Sequence, residues 1–272
     1  MMKKMFGTML PALLAATITV ACQTVQTTGG GAVGVQRSQL MMVSAQDVEQ
    51  ASAQQYQELL AEARRKNTLN RDPATVQRVR HIVSRLTAQT RAFRQDAPSW
   101  QWEVNVLSSD ELNAWCMAGG KMAINTGLIE RLRLTDDEIA AVMGHEIAHA
   151  LREHVREQVS KSMATGLGIS VAGALLGVGQ VGQELMGTVA KVTFELPNSR
   201  EHEVEADRIG VELAARAGYD PRAAVTLWDK MATRSAGAPP QWLSTHPSHA
   251  NRQRDLADYA ARVMPLYQSA RR

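Results

Sequence analysis

The pentapeptide His145-Glu-Ile-Ala-His149 constrains this chain of 272 residues more than any other stretch. On a helix, residues four apart stand on one face, so two imidazoles at this spacing can meet a single metal ion. Glu146 leans toward the same point from the side, where a water beside the ion would need a base. Random order of this composition would produce the pattern roughly 0.01 times. The competing reading is an ordinary amphipathic helix whose histidines fall at that spacing.

The surrounding residues signal a helix. Thr135 to Glu138 reads as a capping box, in which the threonine hydroxyl accepts from the N3 amide and Glu138 reaches back. Asp136 and Asp137 suit the positive helix start, and Ile139, Val142, Met143, Ile147 and Leu151 repeat at helical spacing. Gly144 lowers helix propensity, which is tolerable where another group must approach the backbone. The pattern predicts a helix over 136–161.

A catalytic zinc site normally has three protein ligands, so a third is needed. His154 lies nine residues after His145, about 900° around a continuous helix, and would point away. It is expected to face solvent or to support a ligand from behind. Residues 198–210 offer an alternative. Ser199 can cap a helix running through Leu213 and Ala214, with Gly218 as the residue that ends it. On that helix Glu203 and Asp207 share a face. Glu203 can supply a carboxylate ligand, and Asp207 can accept from a ligand imidazole and fix its tautomer. Taken alone, Glu201, Glu203 and Glu205 read as a solvated acidic face; paired with the first motif, they do not.

The two motifs, His145-Glu-Ile-Ala-His149 followed by Glu203-Val-Glu-Ala-Asp207, resemble the HExxH and ExxAD pair of the HtpX-like gluzincin metalloproteases, in particular their periplasmic lipoprotein branch. The resemblance extends over about 103–252. It implies an α+β, mostly helical metallopeptidase domain with a small sheet or hairpin beside the zinc helix. It also implies one zinc ion per chain held by His145, His149 and Glu203, Glu146 as general base, and Asp207 behind a ligand imidazole. The implied activity is hydrolysis of peptide bonds in misfolded or unassembled envelope proteins. Outer-membrane assembly machinery is an implied partner. The other class of function compatible with the same residues is a largely latent zinc-bearing chaperone or assembly adaptor.

Two further segments match that family. Residues 112–127 resemble its hairpin, with Ala118-Gly119-Gly120 where the family usually has Pro-Gly-Gly. An edge strand beside the metal makes Asn113 and Ala114 candidates for holding an extended substrate as an added strand, or simply members of a structural hairpin. Residues 244–252 resemble the family's His-Pro tail motif, with Arg252 five residues after Pro247. His246 is implied as a regulatory fourth ligand, the alternative being a cap for the last helix. Arg252 is expected either to stabilise an oxyanion or to anchor the loop on a carboxylate. His249 is expected to be exposed.

The amino end reads as an export signal. Residues 1–21 combine a positive start with an apolar run too short to span a bilayer, ending at Ala21-Cys22. Cys22 is the expected lipid-bearing residue, with Thr19 where such signals usually carry Leu; a plain cleaved signal is the alternative. Gln23 favours the outer membrane, so the expected location is the periplasm, anchored to the inner face of that membrane. Residues 22–44, with Gly29, Gly30 and Gly31, read as a flexible tether, and 45–272 as the metallopeptidase domain. Cys116, the other cysteine, then has no partner in the chain and is expected to be buried.

Helices are predicted over 45–66 and 73–96, and strands over 103–107, 111–117 and 121–125. A helix follows Asp220-Pro221 to about Arg234, and a last one follows the 245–247 loop. Residues 163–194 are apolar and rich in glycine; they suit one or two helices covering the cleft or touching membrane or partners. Net charge is +3 and falls to about +1 without Lys3 and Lys4. With no phosphate-binding loop or basic aromatic platform, nucleic acid is not expected.

Overall fold

Ser44, Asp72, Thr135 and Ser199 each stand in extended backbone one residue before a helix, and each side chain accepts from a free amide of the first turn. The computed structural model describes residues 23–165, 178–234, 241–248 and 251–272. Its first half runs β1 (Gln23–Val25), β2 (Gln39–Met41), α1 (Ala45–Arg65), α2 (Pro73–Thr87), β3 (Glu103–Leu107), β4 (Ala114–Met117) and β5 (Lys121–Asn125). Then come α3 (Thr126–Arg131), α4 (Asp136–Leu151), α5 (His154–Ala164), α6 (Val178–Phe194), α7 (Arg200–Arg216), α8 (Ala223–Arg234), α9 (Gln241–Thr245) and α10 (Arg252–Ala270). The fold is α+β and mostly helical, as expected.

The small sheet has the order β3-β5-β4, with β3 parallel to β5 and β4 antiparallel to it. Gly119 and Gly120 close the β4–β5 hairpin at φ of 74° and 78°, values that favour glycine. Alternation along the strands gives each face its own core. Ala114, Cys116, Met122 and Ile124 pack toward α2 and α4, whereas Trp115, Met117 and Ala123 pack toward α1 and α6. Cys116 is buried, as its sequence context suggests.

Helix α4 lies against α7, and at their crossing the two backbones touch. A Cβ on Gly210 would come within 2.7 Å of the His145 amide nitrogen, and one on Gly144 within 2.9 Å of the Gly210 carbonyl oxygen. This accounts for Gly144 inside an otherwise strong helix. It also sets His145 opposite the turn of α7 that carries Glu203 and Asp207.

Four expectations need correction. The helix predicted over 73–96 ends at Thr87, where the Thr90 hydroxyl donates to the Thr87 carbonyl and single 3-10 turns follow. The strand predicted from 111 starts at Ala114. The helix predicted over 136–161 breaks after Leu151, because Glu153 takes a left-handed φ of 52°. That conformation costs about 1–3 kcal/mol for a non-glycine residue; ion pairs from Glu153 to Arg94 and Arg156 offset it.

The fourth correction concerns the tether. Residues 23–44 are packed against the domain: β1 pairs with β2, and Val33 and Val35 lie in the main core. Gly31 and Gly34 serve as positive-φ turn positions, at 57° and 75°. Residues 1–22, including Cys22, lie outside the described residues, as do 166–177 of the apolar stretch and His249. Residues 178–194 of that stretch form α6, whose Leu185, Val189 and Val192 are buried against α1 and β4. Among the described residues no helix is long and apolar enough to cross a membrane.

Gly210→Ala should lower stability by about 1–3 kcal/mol in urea denaturation, because the added methyl meets backbone that cannot move aside. Gly187→Ala in α6, where nothing lies within 4 Å, should be neutral or stabilising. A stabilised Gly210→Ala would contradict the close helix contact.

Candidate metal centre

Helix periodicity puts His145 and His149 one turn apart on the face of α4 that meets α7, and Glu203 projects between them. Nε2 of His145 and Nε2 of His149 are 3.0 Å apart, and the Glu203 carboxylate lies 3.4 Å from the second and 3.6 Å from the first. His246, in the turn that follows α9, completes the group: one ligand atom from each of the four residues lies within 4.8 Å of the others. All four side chains are buried.

Hydrogen bonds fix which nitrogen faces inward. His145 uses Nδ1 to donate to Asp207 Oδ1 at 3.0 Å, and His246 Nδ1 lies 3.1 Å from the Trp242 carbonyl oxygen. Their Nε2 lone pairs are therefore free for a cation. Burial pushes the His149 imidazole down to about 3 and holds His145 and His246 well below the ordinary histidine range. Neutral imidazoles are the metal-binding form. Burial also raises the Glu203 carboxyl, with Arg252 opposing.

The residues fit a metal on a further ground. Glu203 Oε1 is buried and has no hydrogen-bond partner in the protein. A buried carboxylate oxygen left alone costs several kcal/mol unless a cation or donor meets it. Here it lies 3.4 Å from Nε2 of His149, and Oε2 of the same carboxylate lies 3.6 Å from Nε2 of His145.

Glu146 follows His145 on the same turn of α4. Its Oε1 accepts from Trp242 Nε1 at 2.8 Å and lies 3.5 Å from His246 Nε2. Burial raises its carboxyl to about 8, with the Trp242 and Cys116 donors opposing and the Glu203 charge adding. Arg252, on α10, donates to Glu203 at 2.9 Å, to Asp207 at 2.7 Å and to the Pro247 carbonyl at 3.2 Å. Of the two roles expected for Arg252, this is the geometry of an anchor for the carboxylates and the loop. Its guanidinium stacks on Trp228 at 3.8 Å.

Asn113 and Ala114 lie at the start of β4, an outer strand of the sheet. Ala114 is buried, and the Asn113 carbonyl accepts from Asn125. The preceding carbonyl, of Leu112, accepts from the Trp242 amide at 3.1 Å, so α9 is docked there.

Of the two expectations for His154, the structure realises the one behind a ligand, although the rotation argument assumed an unbroken helix. The break at Glu153 turns it back under the site, buried, with Nδ1 only 2.8 Å from Nδ1 of His149. Glu205, read as part of a solvated acidic face, is likewise buried and accepts from His154 at 3.0 Å. Trp242 carries no motif signal at all. The only hint for it was its place four residues before His246.

The model of Peptidase family M48 matches residues 73–260. The chain is 32% identical over 244 residues to the mitochondrial metalloendopeptidase OMA1 of Bos taurus, covering 84% of this chain and 45% of that protein. It is 27% identical over 252 residues to the metalloprotease LoiP of Escherichia coli K12, covering 92% of this chain and 95% of that protein. To the beta-barrel assembly-enhancing protease of the same organism it is 26% identical over 208 residues, covering 72% of this chain and 41% of that protein. The chain spans half or less of the length of the OMA1 proteins it matches. With the family match extending over more than half of its residues, and with the paired His and Glu motifs brought to one buried point, this chain belongs to peptidase family M48.

Proposed function

We propose that this chain is a zinc-dependent metalloendopeptidase of the bacterial cell envelope that cleaves misfolded or unassembled polypeptides. The observation that carries the reading is the Glu203 carboxylate beside two inward imidazole nitrogens, its unpartnered oxygen 3.4 Å from that of His149, with Glu146 one residue from the first ligand. His145, His149 and Glu203 would hold zinc. Bound there, zinc supplies a Lewis acid that lowers the pKa of a water molecule and polarises the scissile carbonyl.

The chain's own residues do the rest. Glu146 takes a proton from the attacking water and passes it to the leaving amine. Asp207 holds the His145 tautomer, and Arg252 keeps Asp207 and Glu203 in place. The outer edge of β4 would receive an extended substrate as an added strand, with Asn113 and Ala114 at its start. Pairing through backbone suits unfolded chains of varied sequence. Trp242 and His246 occupy the approach, so α9 must move before substrate reaches Glu146. His246 is then a fourth ligand in the resting state.

That covering segment favours a second reading, in which the chain is largely latent and acts as a chaperone or assembly adaptor for outer-membrane proteins. Export through residues 1–21, lipid attachment at Cys22 and outer-membrane anchoring are proposed from the sequence.

Glu146→Gln should retain zinc at the wild-type stoichiometry and lose cleavage of casein by at least about 100-fold. Cleavage at the wild-type rate would refute Glu146 as the base. His246→Ala should retain zinc and cleave casein several times faster than wild type. Loss of zinc in His246→Ala would instead make that residue a structural ligand.

A further inference from the structure

The Nδ1 of His149 meets another histidine, and what lies behind that histidine reaches the amino-terminal segment. With Nε2 of His149 turned toward the centre, its proton sits on Nδ1 and is donated to Nδ1 of His154 at 2.8 Å. His154 must then carry its own proton on Nε2, which donates to Glu205 Oε2 at 3.0 Å. Glu205 is bracketed by two guanidinium groups. Arg152 donates to it from Nε at 3.0 Å, and Arg37 from Nε at 2.8 Å. Arg37 comes from the segment that precedes β2, and the Arg152 Nη2 donates to its backbone carbonyl at 2.8 Å.

His154 also belongs, with Glu157 and His202, to a second buried group of possible metal ligands. The Glu157 oxygens are already taken by Arg37, Gln39, Lys161 and His202 at 2.7–3.1 Å. Arg37 bridges the two carboxylates, pairing with Glu157 through Nη1 and Nη2 and with Glu205 through Nε. With its carboxylate lone pairs spent on fixed donors, this second group is a hydrogen-bonded network. It buttresses the first.

We propose that His154, Glu205 and Arg37 are positioning residues for the metal centre, a relay through which the packed segment 23–44 holds the His149 ring. The parallel with the other ligand supports this. His145 is backed directly by a carboxylate, Asp207, which an arginine, Arg252, holds in turn. His149 is backed by the same sequence of groups with one extra imidazole inserted. The α7 carboxylate beside His149, that of Glu203, lies on its Nε2 side, and His154, brought round by the break after α4, meets its Nδ1. The partners behind a ligating histidine set ring orientation and ligand basicity, and their loss typically weakens metal affinity about 10- to 100-fold.

The inference rests on His149 being a metal ligand, and the test separates the two. Zinc affinity of the full chain is measured by competition with a chromophoric chelator for wild type, His149→Ala, His154→Phe, Arg37→Ala and Arg37→Lys. Circular dichroism reports folding of each, and the visible spectrum of the cobalt-loaded protein reports ligand geometry. His154→Phe should bind zinc about 10- to 100-fold more weakly and shift the cobalt spectrum, and Arg37→Ala should weaken binding by about tenfold. Arg37→Lys, which keeps the charge but cannot bridge two carboxylates, should fall between Arg37→Ala and wild type. Folded Arg37→Ala with zinc affinity within about twofold of wild type and an unchanged cobalt spectrum overturns the relay; that half-exposed position decides alone if His154→Phe does not fold. If wild type and His149→Ala bind zinc equally, the metal-site reading itself has failed and takes the relay with it.

Discussion

Two helix backbones touch where Gly144 of α4 meets Gly210 of α7, and the geometry of the metal centre depends on that contact. A side chain at either position would collide with backbone at under 3 Å. Close approach is what allows a carboxylate on one helix to reach between two imidazoles on the other. Glu203 stands two turns before Gly210 and Asp207 one turn before it, so both face His145 from the same stripe. The glycine that weakens α4 as a helix is thus the residue that brings its histidines within reach of α7.

Around that crossing the protein stacks alternating charge. Carboxylates hold the imidazoles, and arginines hold the carboxylates: Arg252 from the carboxyl-terminal helix, Arg152 from the break after α4, and Arg37 from the amino-terminal segment. Buried charges of this kind are tolerable only when each is paired and hydrogen-bonded. The pairing draws both ends of the described chain onto the site. It leaves one carboxylate oxygen at the site, on Glu203, without a protein partner, and that oxygen lies beside the inward nitrogen of His149.

Much of this was legible in the sequence because it depends on local spacing. The i, i+4 histidines, the capping box at Thr135, the Glu203–Asp207 face and the Ala118-Gly119-Gly120 turn all follow from helix or turn geometry within a few residues. What failed depended on a single backbone torsion or on distant partners. The rotation argument for His154 holds for a continuous helix and breaks at Glu153, whose left-handed conformation is stabilised by arginines elsewhere in the chain. Glu205 looked solvated because its partners are 51 to 168 residues away. Residues 23–44 have the composition of a linker, yet Val33 and Val35 find a core and Arg37 finds two carboxylates. Trp242 was invisible because a tryptophan's use of its indole N–H depends wholly on what lies beside it.

The central claim is that a single zinc is bound at this crossing by imidazoles and a carboxylate. X-ray absorption on the zinc-loaded full chain tests it most directly. The account predicts a first shell of nitrogen and oxygen only, at about 2.0–2.1 Å, with the outer-shell scattering of three imidazoles in wild type and of two in His246→Ala. A sulfur scatterer near about 2.3 Å, or an unchanged imidazole signal when His145 and His149 are both replaced by alanine, would contradict it.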